Sequence, residues 1–318
     1  MSAAKYCFGV DLGGTTVKIG FFDLSGEILD KWEIVTRKEN NGAYILEDIA
    51  DAIKDKISKE GLTKEDLKGI GIGVPGPVLG EKVVLGCVNL GWGMFDVSEE
   101  LNKLTGLPVK AANDANVAAL GEQWKGGGQG HKDIVMITLG TGVGGGIIQN
   151  GKIISGVNGA AGEIGHMMIV DPEDITGTCG CGHVGCLEQA ASATGIVNVA
   201  TKLLQTCEDA SCLRNMEGFT AKDVLDGAKA GDGLCLKAAD KMMTYLAKAA
   251  AYIACTVNPG TFVIGGGVSR AGEFLTEGIR KRYEKVAFPT CADTPFVLAA
   301  LGNDAGMIGA ARLICSDL

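Results

Sequence analysis

The sequence predicts an α/β protein made of two related domains, and three of its features carry that expectation. Strand-like apolar runs alternate with helical periodicities along most of the chain. A unit of strand, glycine turn, strand, polar turn and third strand begins at Tyr6 and recurs from Ile134 to Ile154. Glycine supplies 49 of 318 residues, about twice its usual share. It concentrates where predicted strands end, at 13–14, 71–76, 140–146 and 265–267.

In chain order, strands at 6–12 and 17–22 flank the first glycine turn, and Asp23-Leu24-Ser25-Gly26 turns into a third strand. Ile45, Ile49, Ile53 and Ile57 recur at the four-residue spacing of an amphipathic helix. A strand over 69–74 runs into Pro75-Gly76-Pro77, a short helix covers 97–105, and a strand over 109–112 leads to Asn113-Asp114-Ala115-Asn116, which opens a helix towards Trp124. The repeat follows as a strand at 134–139, a glycine turn over 140–146, a strand at 147–148, a turn at 149–151 and a strand at 152–154. Helices are expected at 192–206, 220–230 and 233–256, the last stopped by Asn258-Pro259. A buried strand at 261–264, the turn Gly265-Gly266-Gly267 and a helix over 272–285 come next. The final helix, 303–316, carries Ala305, Gly306, Gly309 and Ala310, small residues that suit packing back on the first domain. The expected division is a smaller domain, 1–117, to which that last helix returns, and a larger one, 118–302.

A formal charge of −9 and a pI near 5.0 argue against a nucleic-acid partner, which needs clustered basic surface. The N-terminal residues lack the apolar core of a signal peptide, and no stretch of ~20 apolar residues could span a bilayer. The expected setting is the cytoplasm. Of the 11 cysteines, eight are scattered without pattern, and most of these read as reduced core residues.

The other three, Cys179, Cys181 and Cys186, follow His166 closely. Three thiolates and an imidazole form a closed tetrahedral set for Zn²⁺ with no position left for water, so the metal would be structural. Gly180, Gly182 and Gly185 allow so short a loop to fold back on one ion. The bland alternative is three unligated thiols in a glycine loop. Glu163, His166 and Glu188 could ring the hydroxyls of a sugar, and His166 could ligate zinc with one nitrogen while donating a hydrogen bond with the other. His131 and His183 read as surface residues.

Asp11, Gly13, Gly14, Thr15, Thr16 and Lys18 place a carboxylate at a strand end ahead of glycines and hydroxyls. Backbone N–H groups there could hold phosphate oxygens while Asp11 orients Mg²⁺ through water. An ordinary hairpin turn fits the residues as well. Gly140, Thr141 and Gly142 offer a second such turn, and two facing hairpins could grip one polyphosphate from both sides. Gly265, Gly266 and Gly267 could lie under a flat base and ribose, or simply connect strand to helix. Asp114 reads equally as a helix cap or as the base of a phosphoryl transfer, where positioning of the hydroxyl counts for more than early proton removal.

Together these segments resemble the ROK family of sugar kinases and repressors, and within it the bacterial glucokinases. The resemblance runs through Asp11-Leu-Gly-Gly-Thr15, Gly73-Val-Pro-Gly76-Pro77, Asn89-Leu-Gly-Trp92, Asn113-Asp114-Ala-Asn116, 139–146, Gly162-Glu-Ile-Gly-His166 and Gly265-Gly-Gly267. Its most specific part is 179–188, the pattern C-x-C-G-x-x-G-C-x-E of zinc-bearing members. It implies an actin-like ATPase fold, two ribonuclease-H-like domains closing a cleft around ATP and sugar, usually in a homodimer. Carried over by position, Asp114 is the base for the sugar 6-hydroxyl, and Gly76, Asn89, Asn113, Glu163, His166 and Glu188 form the sugar pocket. His166, Cys179, Cys181 and Cys186 hold zinc, the two glycine turns hold phosphates, and 265–267 holds adenosine. Glucose leads as substrate, with N-acetylmannosamine, N-acetylglucosamine, allose and fructose as alternatives and ADP or polyphosphate as alternative donors. A sugar-sensing repressor would carry a DNA-binding segment ahead of a first strand that here begins by Tyr6, and a catalytically dead sugar-binding module would not need Asp114 and both turns.

Overall fold

The structure, a computed structural model, describes residues 4–315. The opening residues 1–3 and the last residue of the expected 303–316 helix lie outside the described part. The chain forms two units: unit 1 comprises Met1–Gly130, Gly146–Ala161 and Asn303–Leu318, and unit 2 comprises His131–Gly145 and Gly162–Gly302.

In unit 1, β1 (Tyr6–Leu12), β2 (Thr16–Asp23) and β3 (Ile28–Val35) form successive hairpins. A kinked turn, α1 (Glu39–Gly42), and α2 (Ile45–Lys59) lead to β4 (Leu67–Val74). A small antiparallel sheet of β5 (Val78–Leu79), β6 (Val83–Val84) and β7 (Phe95–Asp96) precedes α3 (Val97–Thr105), β8 (Val109–Asn113) and α4 (Asp114–Lys125). A boundary near 118 would cut α4 after its first turn, whereas the helix lies whole in unit 1. The main sheet has the order β3-β2-β1-β4-β8, with β1, β4 and β8 parallel. Their register sets Asp11 beside Gly73 and Val74 beside Asn113, so three candidate segments leave the sheet at the same, C-terminal end of its parallel strands.

The isoleucine stripe of α2 explains how that helix is held. Ile45, Ile49 and Ile53 are fully buried in the same core as Val10, Ile70 and Ile72, each such side chain stabilising by about 1.5–3 kcal/mol. Ile57, one turn further, is only partly buried against it.

The repeat continues with β9 (Ile134–Leu139), β10 (Val143–Gln149) and β11 (Lys152–Ile153). Then come α5 (Glu188–Ala191), α6 (Ala193–Thr206), α7 (Ala221–Lys229), α8 (Gly233–Val257), β12 (Thr261–Gly265), α9 (Glu273–Tyr283), β13 (Phe296–Leu298) and α10 (Ala305–Cys315). The second sheet, β11-β10-β9-β12-β13, repeats the order of the first, with β9, β12 and β13 parallel. Only 140–142 make the expected glycine turn. Gly144, Gly145 and Gly146 lie inside β10, where the missing side chains admit close neighbours: a Cβ on Gly145 would stand 2.6 Å from the Gly162 carbonyl. α8 is capped by the Asp232 side chain and ends at Asn258, which takes the left-handed conformation.

α10 packs in unit 1 against β1, β4 and α4 through bare backbone. A Cβ on Gly9 would meet the Met307 carbonyl at 2.1 Å, on Gly71 the Ala310 carbonyl at 1.7 Å, and on Gly309 the Val117 carbonyl at 1.6 Å. Those glycines are therefore required by contact. Among the described residues, no helix is long and apolar enough to cross a membrane.

Candidate active site and metal centre

Asn113 ends β8, and its side-chain oxygen accepts from the amides of Ala115 at 3.0 Å and Asn116 at 3.2 Å. The cap, worth about 1 kcal/mol, is therefore Asn113, and Asp114 is the first helical residue. Asn113 Nδ2 also donates to the Gly76 carbonyl at 3.1 Å and to Asp114 Oδ1 at 2.9 Å, and the Ala115 amide reaches the same Oδ1 at 2.8 Å. One amide side chain thus fixes both the Asp114 carboxylate and the Gly76 turn. That turn needs glycine, because φ is +95° and a Cβ would strike the Gly86 carbonyl at 2.4 Å. Asn89 is exposed on a short 3-10 turn clipped by the two Cys87–Trp92 backbone bonds of 2.9 and 3.0 Å.

The turn between β1 and β2 is closed by Gly13 N–H donating to Thr16 O at 3.0 Å, and the Thr36 hydroxyl donates to Gly13 O at 2.8 Å. Thr15 is exposed at its tip. Asp11 is half-buried beneath it: desolvation raises its pKa, Lys18 opposes the rise and the nearby Asp114 charge adds to it. Gly306 leaves room for the Asp11 carboxylate, which would lie 2.7 Å from a Cβ there. Lys18 Nζ donates to the Asn303 carbonyl at 2.8 Å. Lys38 was not singled out in the sequence, yet its ammonium lies 3.5 Å from where a Gly14 Cβ would be. No local pattern announces it, since it sits more than twenty residues from the turn it overhangs.

In unit 2, Gly140 N–H donates to Gly142 O at 3.0 Å, and the Ala193 amide at the start of α6 donates to Gly140 O at 2.8 Å. Gly142 faces Glu188, whose Oε2 would be 2.6 Å from a Cβ. Glu188 Oε1 accepts from Cys179 Sγ at 2.9 Å, so one carboxylate touches both the turn and the cysteine cluster. Gly266, at φ +81°, approaches the Leu139 backbone too closely for any side chain, and Gly267 opens a 3-10 turn to Ala271. Gly140, Thr141 and Gly267 line a cavity of about 390 Å³ whose further wall is α7, through Lys222, Leu225 and Lys229. The α7 wall escaped the sequence reading because only tertiary packing brings it there.

His166 closes a 3-10 turn, Ile164–His166, directly after Glu163. Its Nδ1 lies 3.5 Å from Cys179 Sγ, while Nε2 is 3.9 Å from Glu163 Oε2. Cys181 Sγ is 3.4 Å from Cys179 Sγ and 3.5 Å from Cys186 Sγ, and all four candidate ligand atoms lie within 4.8 Å of one another. Zn–S bonds of ~2.3 Å and a Zn–N bond of ~2.0 Å would place tetrahedral ligand atoms roughly 3.5–3.8 Å apart. The donor set fits that ion. The N–H and ring of His183 lower the pKa of Cys181 to about 6, which favours the thiolate a metal requires. His183 is exposed, as read from the sequence, but its Nδ1 is 3.5 Å from Cys181 Sγ. His131 is instead half-buried, packed on Gly260. The preceding segment is tied to α8, since Tyr245 OH donates to Asp174 at 2.6 Å and accepts from the Asp171 amide at 3.1 Å.

A family model described as the ROK family matches residues 7–316. A glucokinase of Halalkalibacterium halodurans is 46% identical over 315 residues, covering 98% of this chain and 95% of that one. A glucokinase of Thermotoga maritima is 37% identical, covering 96% of each chain. The crystal structure of a ROK family glucokinase from Streptomyces griseus in complex with glucose and AMPPNP is 34% identical and aligns with a TM-score of 0.69 over 97% of this chain and 98% of that one.

Proposed function

The chain belongs to the ROK family, with its two-domain actin-like ATPase fold, and from that premise we propose that it phosphorylates glucose at the 6-hydroxyl with ATP. The observation that carries the mechanism is the Asn113 side chain, which holds Asp114 Oδ1 and the Gly76 carbonyl together at the sheet edge. A carboxylate fixed in this way is oriented before substrate arrives. Asp114 accepts the proton of the sugar hydroxyl as the O6–Pγ bond forms and the bond from Pγ to the β-phosphate oxygen breaks, leaving glucose 6-phosphate and ADP.

We assign the hexose contacts to Gly76, Asn89, Asn113, Asp114, Glu163, His166 and Glu188. The phosphate contacts are Gly13, Gly14, Thr15, Thr16, Lys18, Gly140, Thr141 and Gly142, and Gly265, Gly266 and Gly267 take adenosine. Asp11 is the residue that would hold Mg²⁺, whose charge offsets that of the phosphates when bound. His166, Cys179, Cys181 and Cys186 would hold a structural Zn²⁺; the 3.4–3.5 Å spacings support it. His166 then keeps Nε2 on the Glu163 side, available to a sugar hydroxyl. We place the enzyme in the cytoplasm as a homodimer, for which exposed Tyr252, Val286 and Phe288 offer apolar surface.

Asp114→Asn should lower kcat by roughly 10³-fold or more while leaving glucose affinity within about threefold, read by coupled ADP release and by calorimetry. Near-normal turnover would remove Asp114 from the mechanism. A hexose panel in the same assay should rank glucose first, and a failure of every sugar in the panel to give ADP release would sink the kinase reading itself.

A further inference from the structure

Two cysteines outside the zinc-type cluster stand together in unit 2. Cys212 is exposed and opens a 3-10 turn, Cys212–Asn215, whereas Cys235 is buried in the first turn of α8. Their sulfurs and a carboxylate oxygen of Asp232 lie within 4.8 Å of one another. Asp232 clamps the two backbones: the Cys212 amide donates to Oδ2 at 2.7 Å and the Cys235 amide to Oδ1 at 3.0 Å. The Ser211 hydroxyl at 3.0 Å and the Leu234 amide at 3.1 Å also donate to Oδ1. With four donors already on its two oxygens, Asp232 is a poor third ligand for an ion. The pair is better arranged for a sulfur–sulfur bond, which needs backbones held close and an S–S distance of about 2.05 Å.

What the sulfurs rest on gives the pair its consequence. A Cβ on Gly227 of α7 would lie 2.7 Å from Cys235 Sγ and 3.2 Å from Cys212 Sγ, so no slack separates thiols from helix. Leu225 and Lys229, two residues to either side and hence on the opposite face, line the 390 Å³ cavity.

We propose that Cys212 and Cys235 form a dithiol modification site, which a small-molecule disulfide converts to an intramolecular disulfide that shifts α7 and weakens nucleotide binding. The second half rests on the reading of that cavity as the adenosine site. The Cys212 thiolate attacks the small disulfide, whose S–S bond breaks and releases one thiol. Cys235 gives up its proton and attacks the Cys212 sulfur of the mixed disulfide, releasing the second thiol. The protein is oxidised by two electrons and the small disulfide is reduced by the same two. Burial and the Asp232 carboxylate push the Cys235 thiol up to about 12, so the second step is the slow one.

The test incubates the purified protein, and its Cys212→Ser variant, with oxidised glutathione. Non-reducing peptide mapping is read beside AMPPNP affinity and the KM values for ATP and glucose. The expected result is a Cys212–Cys235 linked peptide, about 2 Da below the sum of the reduced peptides. AMPPNP affinity falls and the KM for ATP rises by roughly three- to tenfold, reversibly with dithiothreitol and with the glucose KM unmoved. Cys212→Ser, which retains Cys179, Cys181 and Cys186, should not respond, separating this effect from oxidation of the metal cluster. A Cys212–glutathione adduct that never resolves, or no modification at all, overturns the site. The crosslink with unchanged AMPPNP affinity overturns its coupling to α7. Untreated protein that transfers no phosphate would strike the proposed function and leave the mapping result standing.

Discussion

The glycine turns after β1 and β9 close with similar backbone bonds and are anchored by different means. In unit 1 the turn is pinned from below by the Thr36 hydroxyl and edged by ionisable groups, Asp11, Lys18 and Lys38. In unit 2 the turn is hooked to α6 by the Ala193 amide and abuts Glu188, which also touches Cys179. The first turn is therefore tuned by charge and the second by mechanical connection to a cluster of metal-type ligands. Two copies of one backbone device can hold the same kind of ligand while answering to different conditions.

The sharpest way to break that contrast is to remove metal. Chelation verified by elemental analysis should abolish activity, because Glu188 and His166 lose the frame that orients them; full activity in metal-free protein would detach the second turn from the cluster. A smaller effect is expected from a matched pair of substitutions. Gly142→Ala drives a methyl group to within 2.6 Å of Glu188 Oε2 and should lower kcat/KM roughly 10- to 100-fold for glucose as well as ATP. Gly140→Ala meets nothing within 4 Å, so its effect should stay near threefold and confine itself to the KM for ATP. Equal losses in the two variants would show that the Glu188 contact carries nothing.

The smallest effect concerns stability in unit 1. Native Asp11 keeps its proton to higher pH than an unfolded aspartate near 3.8, because burial penalises the charge. The native state thus binds more protons over that interval, and stability falls as pH rises through it. Asp11→Asn should raise Tm at pH 7 by roughly one or two degrees, with the gain fading as pH drops through that interval towards 3.8, while activity is lost. A lower Tm at pH 7, followed by thermal unfolding across the pH range, would show that the carboxylate is held by favourable contacts.

Much of this was legible in the sequence because the relevant constraints are local. Cys179, Cys181 and Cys186 fall within eight residues, and the four-residue isoleucine stripe marks α2 without reference to anything else. Asn113 and Asp114 were legible as a pair but not in their division of labour, which depends on which side chain reaches the free amides of α4. Gly144–Gly146 read as turn because glycine signals turns; their actual cause is close neighbours, such as Gly162 against Gly145. The α7 wall, Lys38 and the Cys212–Cys235 pair were out of reach for the same reason, since each depends on contacts between segments distant in the chain.

The dependence of unit 1 on α10 also orders events in time. Every residue of unit 2 has been joined to the chain before Asn303 is added, whereas β1 and β4 must wait with Gly9 and Gly71 uncovered until Met307 and Ala310 arrive. The half carrying the cysteine cluster has its whole sequence first, and the half carrying Asp114 completes only after translation has passed residue 310.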